Sequence, residues 1–120
     1  VQYAHARICR VFESIDETPF DQMRGVHHLA DLTTQEELDL ATTIGQFPEV
    51  IRRAADGLEA HLVCYYLQDL AADFHKWYNS NRLLAEKLEI RDARLALAKA
   101  VQIVIRNGLD LLGVSAPRSM

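Results

Sequence analysis

The sequence predicts an all-α protein, a single-domain helical bundle of about five helices with an extended C-terminal tail. Three observations predict it. Apolar residues recur at spacings of three and four along most of the chain, the mark of amphipathic helices. No segment alternates apolar and polar residues as a half-buried strand does. A chain of 120 residues with 49% apolar composition suits one core rather than two.

The first helix is expected from Val1 to Ile15, where Val1, Ala4, Ile8, Val11, Phe12 and Ile15 share one face. Tyr3, Arg7, Arg10 and Ser14 fall on the opposite face, within roughly 60° of one another at about 100° per residue. Residues 16–32, with Pro19, Gly25 and the pair His27 and His28, hold no sustained period and read as a long irregular connection. Thr33 with Glu36, or Thr34 with Glu37, makes a capping box for a helix through Leu38, Ala41 and Ile44 that ends near Gly45. Pro48 suits the first turn of a short helix to about Ala55, stopped by Asp56 and Gly57.

The longest element is expected from about Leu58 to Leu84, on a stripe of Leu62, Val63, Tyr66, Leu67, Leu70, Phe74, Trp77 and Tyr78. After a polar connection, Ala85 to Arg91, Asp92 is placed to cap a helix carrying Leu97, Val101, Val104 and Ile105, with Gly108 as its stop. A short turn through Leu109 and Leu112 and a tail from Gly113 to Met120 complete the chain.

Charge narrows the function. A net charge of -4 is unsuited to a general polyanion binder, whose affinity comes from clustered Lys and Arg, so any nucleic-acid contact must be local. No apolar run approaches the roughly 18 residues of a membrane span, and no secretory leader pattern opens the sequence. Cys9 and Cys64 lie far apart in helical patterns and read as reduced thiols. The opening at Val1, already inside helical spacing, reads as a piece of a longer protein.

Five blocks carry a resemblance: VQYAHARI (Val1 to Ile8), FPEVI (Phe47 to Ile51), LAADFHKWYN (Leu70 to Asn79), ARLALAKAV (Ala93 to Val101) and NGLDLLGVSAP (Asn107 to Pro117). In this order and spacing the chain resembles, over nearly its whole length, the C-terminal anticodon-binding (DALR-type) domain of class I arginyl-tRNA synthetases. Two places depart from the family pattern. The end reads Ala116-Pro117-Arg118-Ser119-Met120 where relatives commonly have Ala-Pro-Glu-Arg-Met, and Glu59-Ala60-His61 stands for Glu-Pro-His.

The resemblance implies that residues 1–120 are one anticodon-binding domain and that the partners are the anticodon loop of tRNA(Arg) and the catalytic domain of the same chain, in the cytoplasm, with neither membrane nor DNA involved. It implies a parent arginine-tRNA ligase whose ATP and Mg are handled by an absent catalytic domain, with no cofactor in this stretch and no catalytic residue. Tyr3, Arg7, Tyr78 and Met120 match family positions that surround the loop. The first two also stand one turn apart on the polar face, and unpaired bases are read by stacking on aromatic or guanidinium planes. Arg10, Lys76, Arg82 and Arg118 are second-rank phosphate contacts that equally suit a solvated surface. Trp77 and Phe74 read as packing residues and His75 as a local hydrogen-bonding group.

Other classes find less support. His27, His28 and Asp31, with His61 or His75, lack the helical i, i+4 pairing or cysteine frame of a metal site. No Gly-rich phosphate loop, G-x-S-x-G, HIGH-like or KMSKS-like signature is present. The remaining alternative is a helical protein-interaction or oligomerisation module that does not bind RNA.

Overall fold

The computed structural model describes residues 1–15 and 18–114, among which lie six α-helices, one 3-10 turn and no strand. The helices are α1 (Gln2–Glu13), α2 (Gln22–His27), α3 (Gln35–Gly45), α4 (Phe47–Gly57), α5 (His61–Ser80) and α6 (Leu88–Leu112), with the 3-10 turn at Leu29–Asp31. α6 is the axis of the bundle: α1, α2, α3 and α5 all pack against it, and α4 closes over α5. Trp77, Phe74, Leu70 and Leu67 from α5 meet Ala98, Val101 and Ile105 from α6 and Ile8 from α1 in one core. The expected packing roles of Trp77 and Phe74 are met, since both are wholly buried. Cys9 is buried, Cys64 half-buried, and neither is in a disulfide.

Of the two possible capping boxes, the chain uses Thr34 and Glu37. The Thr34 hydroxyl accepts from the Glu37 amide at 3.2 Å, and Glu37 Oε1 accepts from the Thr34 amide at 3.3 Å. The same carboxylate then turns inward. Its Oε2 accepts from the Trp77 indole at 3.2 Å and from Arg94 Nε at 3.1 Å, while Arg94 also donates to the Arg82 carbonyl at 2.7 Å. One side chain therefore ties α3 to α5 and α6 and fixes the turn that follows α5.

Several sequence expectations are corrected. The longest helix is α6, with 25 residues, not α5, with 20. Asp92 does not cap it but lies wholly buried inside its first turns. There Asp92 Oδ1 accepts from Arg91 at 2.8 and 3.0 Å, and Arg24 Nε approaches Oδ2 at 3.5 Å. Arg91 also donates to the Thr18 and Pro19 carbonyls at 2.8 and 3.1 Å, pinning the connection that leaves α1. Gly108 is not a stop either; it sits within α6 against the Leu67 side chain, and the helix ends at Gly113, whose φ of 73° is the left-handed conformation of a helix C-cap. At the end of α4 the left-handed residue is Leu58, φ 52°, not Gly57.

Within the stretch expected to be irregular, α2 forms because Asp21 caps it, accepting from the Arg24 amide at 3.1 Å, and because Gly25 lets it lie close on α6. A Cβ on Gly25 would overlap the carbonyl oxygen of Asp92 and stand 2.9 Å from its carbonyl carbon. Backbone cannot step aside as a side-chain tip can. Gly25→Ala is therefore expected to lift α2 from α6 and lower stability by more than about 1 kcal/mol, read as the urea midpoint; an unchanged midpoint would show that the approach is not tight.

Candidate nucleic-acid interface

The surface begins on the first turn of α1. Tyr3, 42% exposed, is followed one helical turn later by Arg7, whose Nη2 donates to the tyrosine hydroxyl at 3.1 Å. Spacing alone places Arg7 beside Tyr3 and away from the core. The fold adds a third group: the guanidinium carbon lies 5.0 Å from the Tyr3 ring centroid and 4.5 Å from that of Tyr78 on α5. Both distances are within cation–π range, so Arg7 is half-buried between rings from two helices. Arg10 is exposed, with its guanidinium carbon 5.8 Å from the Tyr3 ring.

Beneath this layer are two more rings. His75 stands 5.6 Å from Tyr3 at 34°, and the buried Phe74 contacts both His75, at 5.3 Å, and Tyr78, at 5.7 Å. Phe74 and Tyr78 are one turn apart, as Tyr3 and Arg7 are, so each helix supplies a pair and the α1–α5 contact joins them. His75 was expected only to support local hydrogen bonding; its packing under Tyr3 depends on how α1 lies across α5, which helical spacing does not reveal.

Burial and then the Arg7 charge hold the His75 imidazole below its ordinary 6.5. The shift favours the neutral ring, which does not repel Arg7. The sign follows from linkage: below 6.5 the unfolded chain takes up this proton more readily than the folded one, so the contribution of neutral His75 is full above 6.5 and fades as pH falls through the folded value. His75→Phe is expected to flatten the acid side of the stability profile just below pH 6.5. An identical slope in both proteins, measured by urea unfolding at stepped pH, would remove His75 from the account.

The other predicted residues are more scattered. Lys76 is exposed on α5 and Arg82 exposed in the turn after it. Arg118 and Met120 lie outside the described residues, as does most of the expected tail. Of the metal-site group, His28 Nδ1 meets Asp31 Oδ2 at 2.9 Å and the His27 ring stands edge-on to His28, but His61 pairs with Glu59 and His75 with Tyr3. Among the described residues no three His, Cys, Asp or Glu side chains are gathered to hold a metal ion. Nor is any described helix long and apolar enough to cross a membrane.

The fold is all-helical among the described residues, and where α1 meets α5 it brings two tyrosine rings and an arginine together. The chain belongs to the DALR anticodon binding domain family, whose model matches residues 1–120. It is 52% identical over its whole length to an arginine–tRNA ligase of Coxiella burnetii (strain CbuK_Q154) and 45% identical to one of Acinetobacter baumannii (strain AYE), covering 21% and 20% of those proteins. The structure of Thermus thermophilus arginyl-tRNA synthetase matches with a TM-score of 0.82 and 31% identity, over 99% of this chain and 20% of that one. The chain thus spans about a fifth of the length of the relatives it matches.

Proposed function

We propose that this chain reads the anticodon loop of tRNA(Arg) as one domain of an arginine-tRNA ligase. The observation that carries the reading is Arg7 held between Tyr3 and Tyr78, a preformed stack of planes at the surface of a chain that is otherwise negatively charged. Every arginine codon has G in the middle, so the matching anticodons share a central C. A base splayed from the loop stacks on such planes, and each stack contributes about 1 to 3 kcal/mol. Arg10 stands beside Tyr3, where a loop phosphate would follow a stacked base. Met120 and Arg118 complete the pocket in this reading, and Lys76 and Arg82 meet the phosphates beyond it.

In the whole protein, arginine would be attached to tRNA with ATP and Mg by a catalytic domain of the same chain, in the cytoplasm, while the residues described here supply affinity and choice of tRNA. The test is a titration of the full-length protein with an anticodon stem-loop of an arginine tRNA and with the same loop changed at its central C. Binding at least about tenfold weaker to the changed loop is expected, because groups desolvated for one base edge are left unpaired by another.

A helical interaction module that does not bind RNA is the second reading. It is favoured by the net charge of -4 and by Leu58 and Leu111, which are 93% and 62% exposed. Equal or absent binding of the two stem-loops selects it.

A further inference from the structure

Tyr78 borders more than Arg7. Between the end of α1 and the turn after α5 a cleft of about 300 Å³ opens, with Val11, Ser14, Tyr78, Asn81, Arg82 and Leu84 on its walls. This is the lower end of the size range of small-molecule sites, enough for one flat ring system and little more. Val11 and Leu84 make it apolar, and the Tyr78 ring forms part of its wall.

The polar atoms on its walls are partly committed within the protein. The Ser14 hydroxyl donates to the Val11 carbonyl at 2.7 Å, and Asn81 Nδ2 donates to the Trp77 carbonyl at 3.2 Å. The Ser14 hydrogen and one of the two Asn81 amide hydrogens are therefore spent within the protein, and what remains for a ligand is acceptor capacity on Ser14 Oγ and Asn81 Oδ1 and one Asn81 N–H, an acceptor beside a donor as the edge of adenine or cytosine requires. Exposed Arg82 adds a positive charge. The turn itself is held before any ligand arrives, since Leu83 is buried and the Arg82 carbonyl accepts from Arg94, which is in turn held by Glu37.

We propose that this cleft takes a second unpaired nucleotide of the same RNA, one whose base carries an exocyclic amino group, with its phosphate at Arg82. The inference rests on the anticodon-loop reading and extends it. Ser14 and Asn81 accept from the amino group, Val11, Leu84 and Tyr78 enclose the ring, and the Tyr78 side chain is shared between this slot and the Tyr3–Arg7 stack. Two neighbouring bases are then gripped at two chemically distinct places, one by planes and charge, the other by shape and hydrogen bonds to the base edge.

The experiment uses the full-length protein and a set of anticodon stem-loops, each with one loop base removed. The unaltered protein is expected to lose affinity by about 5- to 150-fold at two loop positions. Leu84→Trp, made at a 40% exposed site, fills the cleft. It is expected to weaken the intact loop by a similar factor and to erase the penalty at one position only; Tyr3→Ala erases the penalty at the other. If Leu84→Trp leaves affinity and base-removal profile unchanged while Tyr3→Ala weakens binding, the cleft assignment fails and the anticodon reading stands; if neither variant matters, both fail.

A second measurement needs no variant. Purine in place of adenine, or 2-pyrimidinone in place of cytosine, at the position assigned to the cleft removes only the amino group and is expected to weaken binding about 2- to 12-fold. Equal affinity for the two bases overturns the assignment.

Discussion

Glu37→Ala is expected to lower the stability of this domain by about 3–5 kcal/mol, the cost of removing one partner from a buried ion pair. Glu37 is 2% exposed, and its carboxylate serves Arg94, the Trp77 indole and the Thr34 amide together. Alanine leaves a guanidinium that is 17% exposed without its counter-ion, an indole N–H without an acceptor and α3 without half of its capping box. Glu37→Gln keeps the shape and one acceptor while removing the charge, so an intermediate loss is expected. Glu37→Leu combined with Arg94→Leu removes both charges and should recover much of the loss, because burying neither ion is cheaper than burying one. Urea unfolding of the three variants decides the matter, and a Glu37→Ala midpoint equal to that of the parent would show the pair to be energetically silent. The effect reaches the interface as well: Arg94 holds the Arg82 carbonyl, so a displaced Arg94 loosens the turn beside Tyr78.

What could be read from the sequence followed the range of the interaction. The Thr34 box is visible because both of its partners lie within one turn, and the Tyr3–Arg7 pair because a helix places residues four apart side by side. Asp92 was misplaced because the property that suits an aspartate to a helix start, a charged acceptor on a short stem, equally suits it to receive Arg91 and Arg24 in the interior. Gly108 and Gly25 show the same ambiguity: glycine marks a helix end or a close approach, and only the neighbours, Leu67 in one case and the Asp92 backbone in the other, tell which. α2 is not legible in the sequence because six residues are too few to display a period. At the interface, helical spacing marks neither Tyr78 nor His75 as a neighbour of α1. Their meeting with α1 is a tertiary event spanning some seventy residues of chain, and no spacing rule reaches so far.

Arg7→Ala is expected to weaken binding of the anticodon stem-loop by about 5- to 150-fold, the effect of losing a stacking plane, while changing stability little. The informative companion is Arg7→Lys. If Arg7 acts as a point charge on a phosphate, lysine restores affinity, and alanine lowers the salt dependence of binding by about one ion. The geometry favours the other outcome: the guanidinium lies 5.0 and 4.5 Å from two ring centroids and also holds the Tyr3 hydroxyl, a set of contacts that needs a flat, forked cation. Lysine is therefore expected to resemble alanine in affinity while keeping the salt slope of the parent. The stack also predicts that effects will not add. With Arg7 gone, Tyr3 and Tyr78 lose the group that links them, so Arg7→Ala with Tyr78→Ala should cost less than the sum of the two single losses. Strict additivity in that cycle would mean that the rings bind independently and that the guanidinium between them is a neighbour, not a link.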